Sequence, residues 1–309
     1  MKFLEKSLDR QNQFWKYLIV VLAAIFGGQI LGAIPLVCVM VFKQIVSGGT
    51  LSINPNNFMD FTAFGMSKNL VFFLLMLSPV VMLLISIVLI KVLHKRSFAE
   101  TVNGTQKIRI NRCLTGAGVW GILTVIYYLC DYLINPGDFR LQFNLSAFIP
   151  LLLISVILIP IQTTSEEFLF RGYLTQGFAG WTKSRWLAIL IPGLLFGLMH
   201  SFNPEIKEFG FWVMMPQYIF FGLLFGLVSV LDDGIELALG MHAANNLFLS
   251  LFITHPASAL QTDAVFEQLR IIPVKDTISL IVTGIIAFAF FTWKYKWNFT
   301  ILNHKIINV

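Results

Sequence analysis

Residues 147–181 read AFIPLLLISVILIPIQTTSEEFLFRGYLTQGFAGW. An apolar run from Ala147 to Ile161 is followed almost at once by Glu166, Glu167 and Arg171, then by a second apolar stretch from Gly172 to Trp181. Ionisable groups at membrane depth are costly and face a protein interior or a water-filled cavity, which makes them functional candidates. How this stretch is divided decides the architecture. A helix that ends before Glu166 leaves the charges near a membrane edge. A helix that continues to about Gly180 buries them. No proline interrupts 161–180, although Gly172 and Gly177 weaken a helix locally.

The composition around it is that of an integral membrane protein. Of 309 residues, 57% are hydrophobic and only 12% charged, about half the charged share of a soluble domain. Thirty phenylalanines suit a lipid-facing surface. The net charge of +6 does not imply a nucleic-acid partner, because the basic residues lie in short loops and form no stripe or binding motif. Cys38, Cys113 and Cys130 lie in or beside apolar runs without metal-type CxxC spacing, and read as small buried hydrophobes. Residues 1–16 are polar, and the apolar run behind them is too long for a signal-peptide core, so no cleavable leader is expected.

A membrane-spanning helix needs about 20 apolar residues. Eight runs qualify as candidates: 17–43, 69–93, 113–134, 146–165, 186–202, 211–231, 235–255 and 277–295. The expected fold is therefore all-α and polytopic, with about eight membrane helices. Lys and Arg concentrate in cytoplasmic loops. Fifteen of them fall in the N-terminal segment, the 91–112 loop, the Lys183–Arg185 turn and the C-terminal tail. Six fall on the other side: Lys43, Lys68, Arg140, Lys207, Arg270 and Lys275. Both termini are expected in the cytoplasm, with the acidic turn Asp232–Asp233 as an exception on that side. Segments 49–66 and 256–276 read as extracytoplasmic loops, and 94–112 as interfacial. No repeat or low-complexity tract appears. The expected organisation is 1–144 as three N-terminal helices with the basic loop, 145–255 as a core of helices 4–7, and 256–309 as a loop, a last helix and a tail.

Three clusters carry chemistry. In Glu166-Glu167-Phe-Leu-Phe-Arg171, Glu167 and Arg171 are i and i+4 and pair on one helix surface. Glu166 is rotated by about 100° and points elsewhere. An unpaired carboxylate in low dielectric is suited to general-base work. The other clusters are Phe196-Gly-Leu-Met-His200 and His242-Ala-Ala-Asn-Asn246, the latter with His242 and Asn246 on one face. With the fourth helix carried to Gly180, Glu166 lies about 21 Å, His200 about 22 Å and Asn246 about 20 Å from their respective turns at 1.5 Å per residue. The three clusters then share one depth, and the long helix is preferred for that reason. Singly, each has an ordinary structural explanation: a satisfied core histidine, a structural ion pair, interhelical hydrogen bonding, a core Phe196. Jointly, on three helices at one height, they read as an active site between helices 4, 5 and 7.

The stretches EEFLFRGYL (166–174), FGLMH (196–200) and HAANNLF (242–248), in this order on separate membrane helices, resemble the CPBP family, the CAAX-protease and bacteriocin-processing or Abi family. The resemblance covers roughly 145–255 and no motif position departs from it. It implies an intramembrane endopeptidase acting on a membrane-associated protein or peptide. Under it, Glu166 is the general base helped by His200. His242 and Asn246 stabilise the oxyanion, Glu167 and Arg171 hold the site together by charge pairing, and Phe196 supports it. Members are often described as metalloproteases, and Glu166, His200 and His242 could hold zinc with a water. No HExxH helix is present, and an amide such as Asn246 is an uncommon zinc ligand, so a metal-independent mechanism with no required cofactor is preferred. The alternatives are a non-catalytic scaffold or immunity protein on the same fold, and a proton-coupled carrier, for which the two related halves are missing. A bacterial inner membrane is the expected location. Whether the substrate is prenylated is not legible.

Overall fold

The computed structural model describes residues 2–8, 11–49, 61 and 64–307, so the expected 49–66 loop lies largely outside the described residues. Six helices among them are long and apolar enough to cross a membrane: α1 (Phe14–Val46), α2 (Lys68–His94), α4 (Ile110–Ile134), α5 (Leu145–Thr182), α8 (Phe211–Leu231) and α10 (Pro273–Tyr295). Between them stand α3 (Phe98–Asn103), α6 (Arg185–Met199), α7 (Pro204–Phe209) and α9 (Glu236–Phe252). Two of the eight expected runs thus form shorter helices, of 15 and 17 residues. The fifth run stops at Met199 because the chain turns at His200 and restarts at Pro204. The protein is an all-α polytopic membrane protein.

The long-helix reading of the fourth run is the observed one. Asn144 caps α5 by accepting the amides of Ser146 and Ala147. Pro150 and Pro160 lie inside the helix without ending it, as membrane helices tolerate when neighbours satisfy the freed backbone groups. The turn into α6 is Lys183 in the left-handed region, followed by Ser184, whose hydroxyl accepts the amide of Leu187.

Segments expected to share one membrane side do share one end of the bundle. The amides of Lys2 and Phe3 donate to the Asp233 carboxylate at 3.0 Å each. Arg96 donates to Lys6 O at 3.0 Å, Trp181 to Asn12 O at 3.0 Å, and Ile306 N to Lys183 O at 3.1 Å. The acidic turn is no anomaly there. Asp232 receives Arg109 and Arg112, both at 3.3 Å, together with the indole of Trp297. Burial outweighs both arginines and holds its carboxyl up at about 6. Asp232 and Asp233 are the counter-charges of the basic loop.

The other end carries a small sheet that the sequence reading left as loop. Strands β1 (Phe139–Leu141), β2 (Ile253–Thr254) and β3 (Phe266–Gln268) lie in the order β1-β3-β2, antiparallel on one side of β3 and parallel on the other. Arg140 faces Glu267 across β1 and β3. Hydrophobic side chains facing outward along the helices, among them Phe26, Ile30, Leu153 and Ile285, form the lipid-facing surface. Cys38 and Cys130 belong to that exposed surface, and Cys113 is half-buried. The reading of all three as buried is therefore corrected: burial inside a bilayer is contact with lipid, which apolar composition alone does not separate from contact with protein.

Helices approach closely where glycines remove the Cβ. A Cβ at Gly240 of α9 would overlap the Cys113 carbonyl of α4, and one at Gly116 of α4 would overlap Leu237 O of α9. Gly193 of α6 and Gly222 of α8 meet in the same way. Small residues let backbones pack where water does not drive association. Of the N-terminal helices, α4 is thus joined to the core at α9, whereas α2 packs against α1 and α5. Gly240→Ala is expected to destabilise the protein by about 1–3 kcal/mol, the usual range for overpacking. Gly118→Ala, whose Cβ meets nothing within 4 Å, should leave thermal unfolding in detergent unchanged. Equal melting curves for the two variants would contradict this packing.

Candidate active site

The charged motif sits where α5 changes its winding. Leu145–Glu167 is α-helical, Phe168–Leu174 is a π-helical segment, and Thr175–Thr182 is α-helical again. Such wide turns accompany functional sites. All seven residues of the π segment are buried, so the widened backbone is enclosed by protein.

Glu167 is fully buried and its Oε1 collects two partners. Arg171 Nη1 donates to it at 2.9 Å, and His242 Nδ1 lies at 2.7 Å. The expected i, i+4 pair is therefore formed. Arg171 also donates to Phe221 O at 3.3 Å, and its guanidinium lies 3.8 Å from the Phe196 ring centre. A buried ion is tolerated only with such partners, and here they come from α5, α8 and α9, with the Phe196 ring of α6 beneath the cation.

Glu166 is set apart, as its rotation on the helix requires. Its side chain is 20% exposed, and its Oε2 lies 3.7 Å from His242 Nε2. Gln162, one turn earlier, donates to Glu166 Oε1 at 2.5 Å and accepts from Asn246 Nδ2 at 3.0 Å. Asn246 Oδ1 in turn accepts from Asn245 at 3.1 Å, and Asn245 from the Trp120 indole at 3.2 Å. Gln162, Asn245 and Trp120 were not read as site residues. Gln162 had a usable signal: a polar side chain inside an apolar run, four residues before Glu166 and so on its face.

His200 is the capping residue at the end of α6. Its Nδ1 faces Phe196 O at 2.8 Å, which puts the proton on Nδ1 and leaves Nε2 as an acceptor. The ring stacks on Tyr218 at 4.5 Å, and Tyr218 accepts from Asn203 at 3.2 Å. His200 makes no hydrogen bond or ion pair with Glu166. Phe196 connects the two parts, with its ring centre 4.7 Å from that of His200 and 6.1 Å from that of His242. The structure thus gathers Glu166, Glu167, Arg171, Phe196, His242 and Asn246, and holds His200 at the edge.

Among the described residues, no group of three His, Cys, Asp or Glu side chains is arranged to hold a metal ion. Glu166 Oε2 and His242 Nε2 face one another at 3.7 Å with His242 Nδ1 held by Glu167, but the His200 ring is turned to Phe196 O and Tyr218. As they stand, the residues do not form the three-ligand site.

A family model described as type II CAAX prenyl endopeptidase Rce1-like matches residues 145–248. A protein of Bacillus subtilis strain 168, named uncharacterized protein YyaK, is 31% identical over 296 residues, which cover 94% of this chain and 95% of that protein. No solved structure matches the chain.

Arg171→Met strands the Glu167 carboxylate in a dry interior, and a loss of about 3–5 kcal/mol is expected, as for one broken half of a buried pair. The double variant Glu167→Gln/Arg171→Met should regain part of that stability in the same thermal unfolding measurement. If the double variant is no more stable than the single one, Glu167 and Arg171 do not compensate each other.

Proposed function

Since this chain belongs to the CPBP family of CAAX-type intramembrane proteases through its Rce1-like domain, we propose that it is an intramembrane endopeptidase in which Glu166 activates the attacking water. The observation that carries the reading is the division of labour between the paired glutamates. Glu167 is fully buried and engaged through Oε1 by Arg171 and His242, whereas Glu166 is partly open and faces His242 Nε2 across 3.7 Å. A water beside that gap would be within reach of the Glu166 carboxylate, which supports its reading as the general base.

The reaction follows from these positions. Glu166 takes a proton from water, and the hydroxide attacks the carbonyl carbon of the scissile peptide bond. His200 assists through Nε2, the acceptor left by its bond to Phe196 O. The tetrahedral oxyanion is met by Asn246 Nδ2 and by His242. The contact of His242 Nδ1 with Glu167 fixes the ring and turns Nε2 toward the gap beside Glu166. Donors aimed at developing charge in a dry site supply a large share of such catalysis. The oxyanion then collapses, the C–N bond breaks, and Glu166 returns its proton to the leaving amine. Glu167 and Arg171 hold the site together by charge pairing, and Phe196 packs beneath the guanidinium.

No step in this mechanism uses a metal, and no cofactor is required. The substrate class is a membrane-associated protein or peptide. The location is a bacterial inner membrane with both termini in the cytoplasm, in line with the grouping of the basic segments at one end of the bundle. A non-catalytic scaffold would leave Glu166 dispensable.

Two outcomes are expected. Comparative peptidomics of membranes carrying the native chain and Glu166→Ala should show precursors that accumulate and fragments that vanish, with processing reduced at least ~100-fold, the lower end for loss of a general base. Unchanged processing by Glu166→Ala would remove the peptidase reading. Cleavage of the substrate so found should survive exhaustive chelation. If a chelated, inactive enzyme is restored by zinc alone, the water is activated by metal and the mechanism above is replaced.

A further inference from the structure

A cavity of about 90 Å³ lies between α4, α8, α9 and α10, beside the catalytic cluster but outside it. Its polar lining comprises Thr124, Tyr127, Gln217, Asn245, Asp276 and Thr283. The end near the sheet is marked by two pairs. Tyr127 donates to Asp276 at 2.6 Å, and Lys275 holds Asp131 at 2.8 Å. Asp131 is in the last turn of α4 and Asp276 in the first turn of α10. The deep wall is formed by Trp120 and Asn245. Trp120 lies 14 positions before Ile134, about 21 Å into the bundle at 1.5 Å per residue. One water needs only about 10–15 Å³ of such space, so the cavity has room for water. Left dry, its carboxyl, amide and hydroxyl groups would lose hydrogen bonds that hydrocarbon cannot replace.

The deep wall leads to the catalytic carboxylate. Asn245, held by the Trp120 indole, donates to Asn246; Asn246 donates to Gln162; Gln162 donates to Glu166. The chain of hydrogen-bonding groups is continuous from the cavity to the base. The outward face of α5 offers no such route, since Ile149, Leu153, Val156 and Ile157 are exposed there. Each peptide bond hydrolysed consumes one water, and a site inside a bilayer must be resupplied.

We propose that this cavity is a hydration chamber, filled from the sheet end of the bundle, that supplies the water consumed at Glu166, with Asn245 as the gate between them. Rotation of the Asn245 amide breaks its bonds to Trp120 and Asn246 and opens the wall. The supply role rests on the peptidase reading, whereas the hydration of the cavity does not.

Water accessibility is read without any substrate. In a chain carrying Cys38→Ala, Cys113→Ala and Cys130→Ala, placed in lipid nanodiscs, Thr283→Cys is exposed to a charged methanethiosulfonate. It is expected to react at least tenfold faster than Ile285→Cys, whose position faces lipid. Equal rates overturn the chamber. Should the cysteine-free chain not fold, hydroxyl-radical footprinting of the unaltered protein serves instead. Oxidation at Tyr127 well above that at Tyr173, which is buried in the core, is expected, and equal oxidation overturns the chamber. Thr124→Leu fills the space. It should block labelling of Thr283→Cys and lower kcat about tenfold with KM unchanged, on the substrate identified by peptidomics. Blocked labelling with full turnover would show that the water comes from elsewhere. If Glu166→Gln also retains full turnover, the peptidase reading fails and the supply role falls with it, while the labelling result still decides whether the cavity is wet.

Discussion

A charge placed in a low-dielectric interior must find its counter-charge there, and the rest of this structure is arranged around that requirement at Glu167. The carboxylate and the Arg171 guanidinium are both essentially without solvent. Their pairing demands an unbroken helix from one to the other, so α5 continues past the point where its apolar run ends. The bond from His242 then fastens α9 to α5, and the bond from Arg171 to Phe221 O fastens α8. Four helices are positioned by one ion pair and its immediate partners. Chemistry becomes available because Arg171 is committed to Glu167, and the neighbouring Glu166 is left to face His242.

Much of this was legible in the residues. The i, i+4 spacing of Glu167 and Arg171 describes their contact, since both lie on one helix and no tertiary information is needed. Helical rise alone placed Glu166 and Asn246 at one height, and the Gln162 side chain joins them in the structure. His200 was harder. Depth says how far along an axis a residue lies, not which way its ring turns at a helix end, and the ring turns to Phe196 O and Tyr218. The hydrogen bonds of Gln162 and Asn245 were missed because an isolated amide in an apolar run carries no spacing to a partner on another helix. The sheet was missed for a similar reason: strands of two or three residues have no periodicity to read, and their register depends on segments more than a hundred residues apart.

The two ends of the bundle are built by different rules. At the basic end, ion pairs and backbone-directed bonds tie the chain termini to Asp232, Asp233 and the α5–α6 turn. At the sheet end, three short strands and the Lys275–Asp131 pair tie the loops together. Between them lie apolar helices whose close approaches depend on missing Cβ atoms at Gly240, Gly193 and Gly222. One file of polar side chains runs from Asn245 through Asn246 and Gln162 to Glu166.

The bond between the Asp233 carboxylate and the amides of Lys2 and Phe3 spans 230 positions and more. During translation at about 5–20 residues per second, the residues that grip the N-terminal turn emerge many seconds after it. Residues 2 and 3 are thus made long before their acceptor, and until Asp233 emerges their amides lack this anchor. The contact of Lys2 and Phe3 with Asp233 therefore forms only after the sixth apolar run, 211–231, has been synthesised.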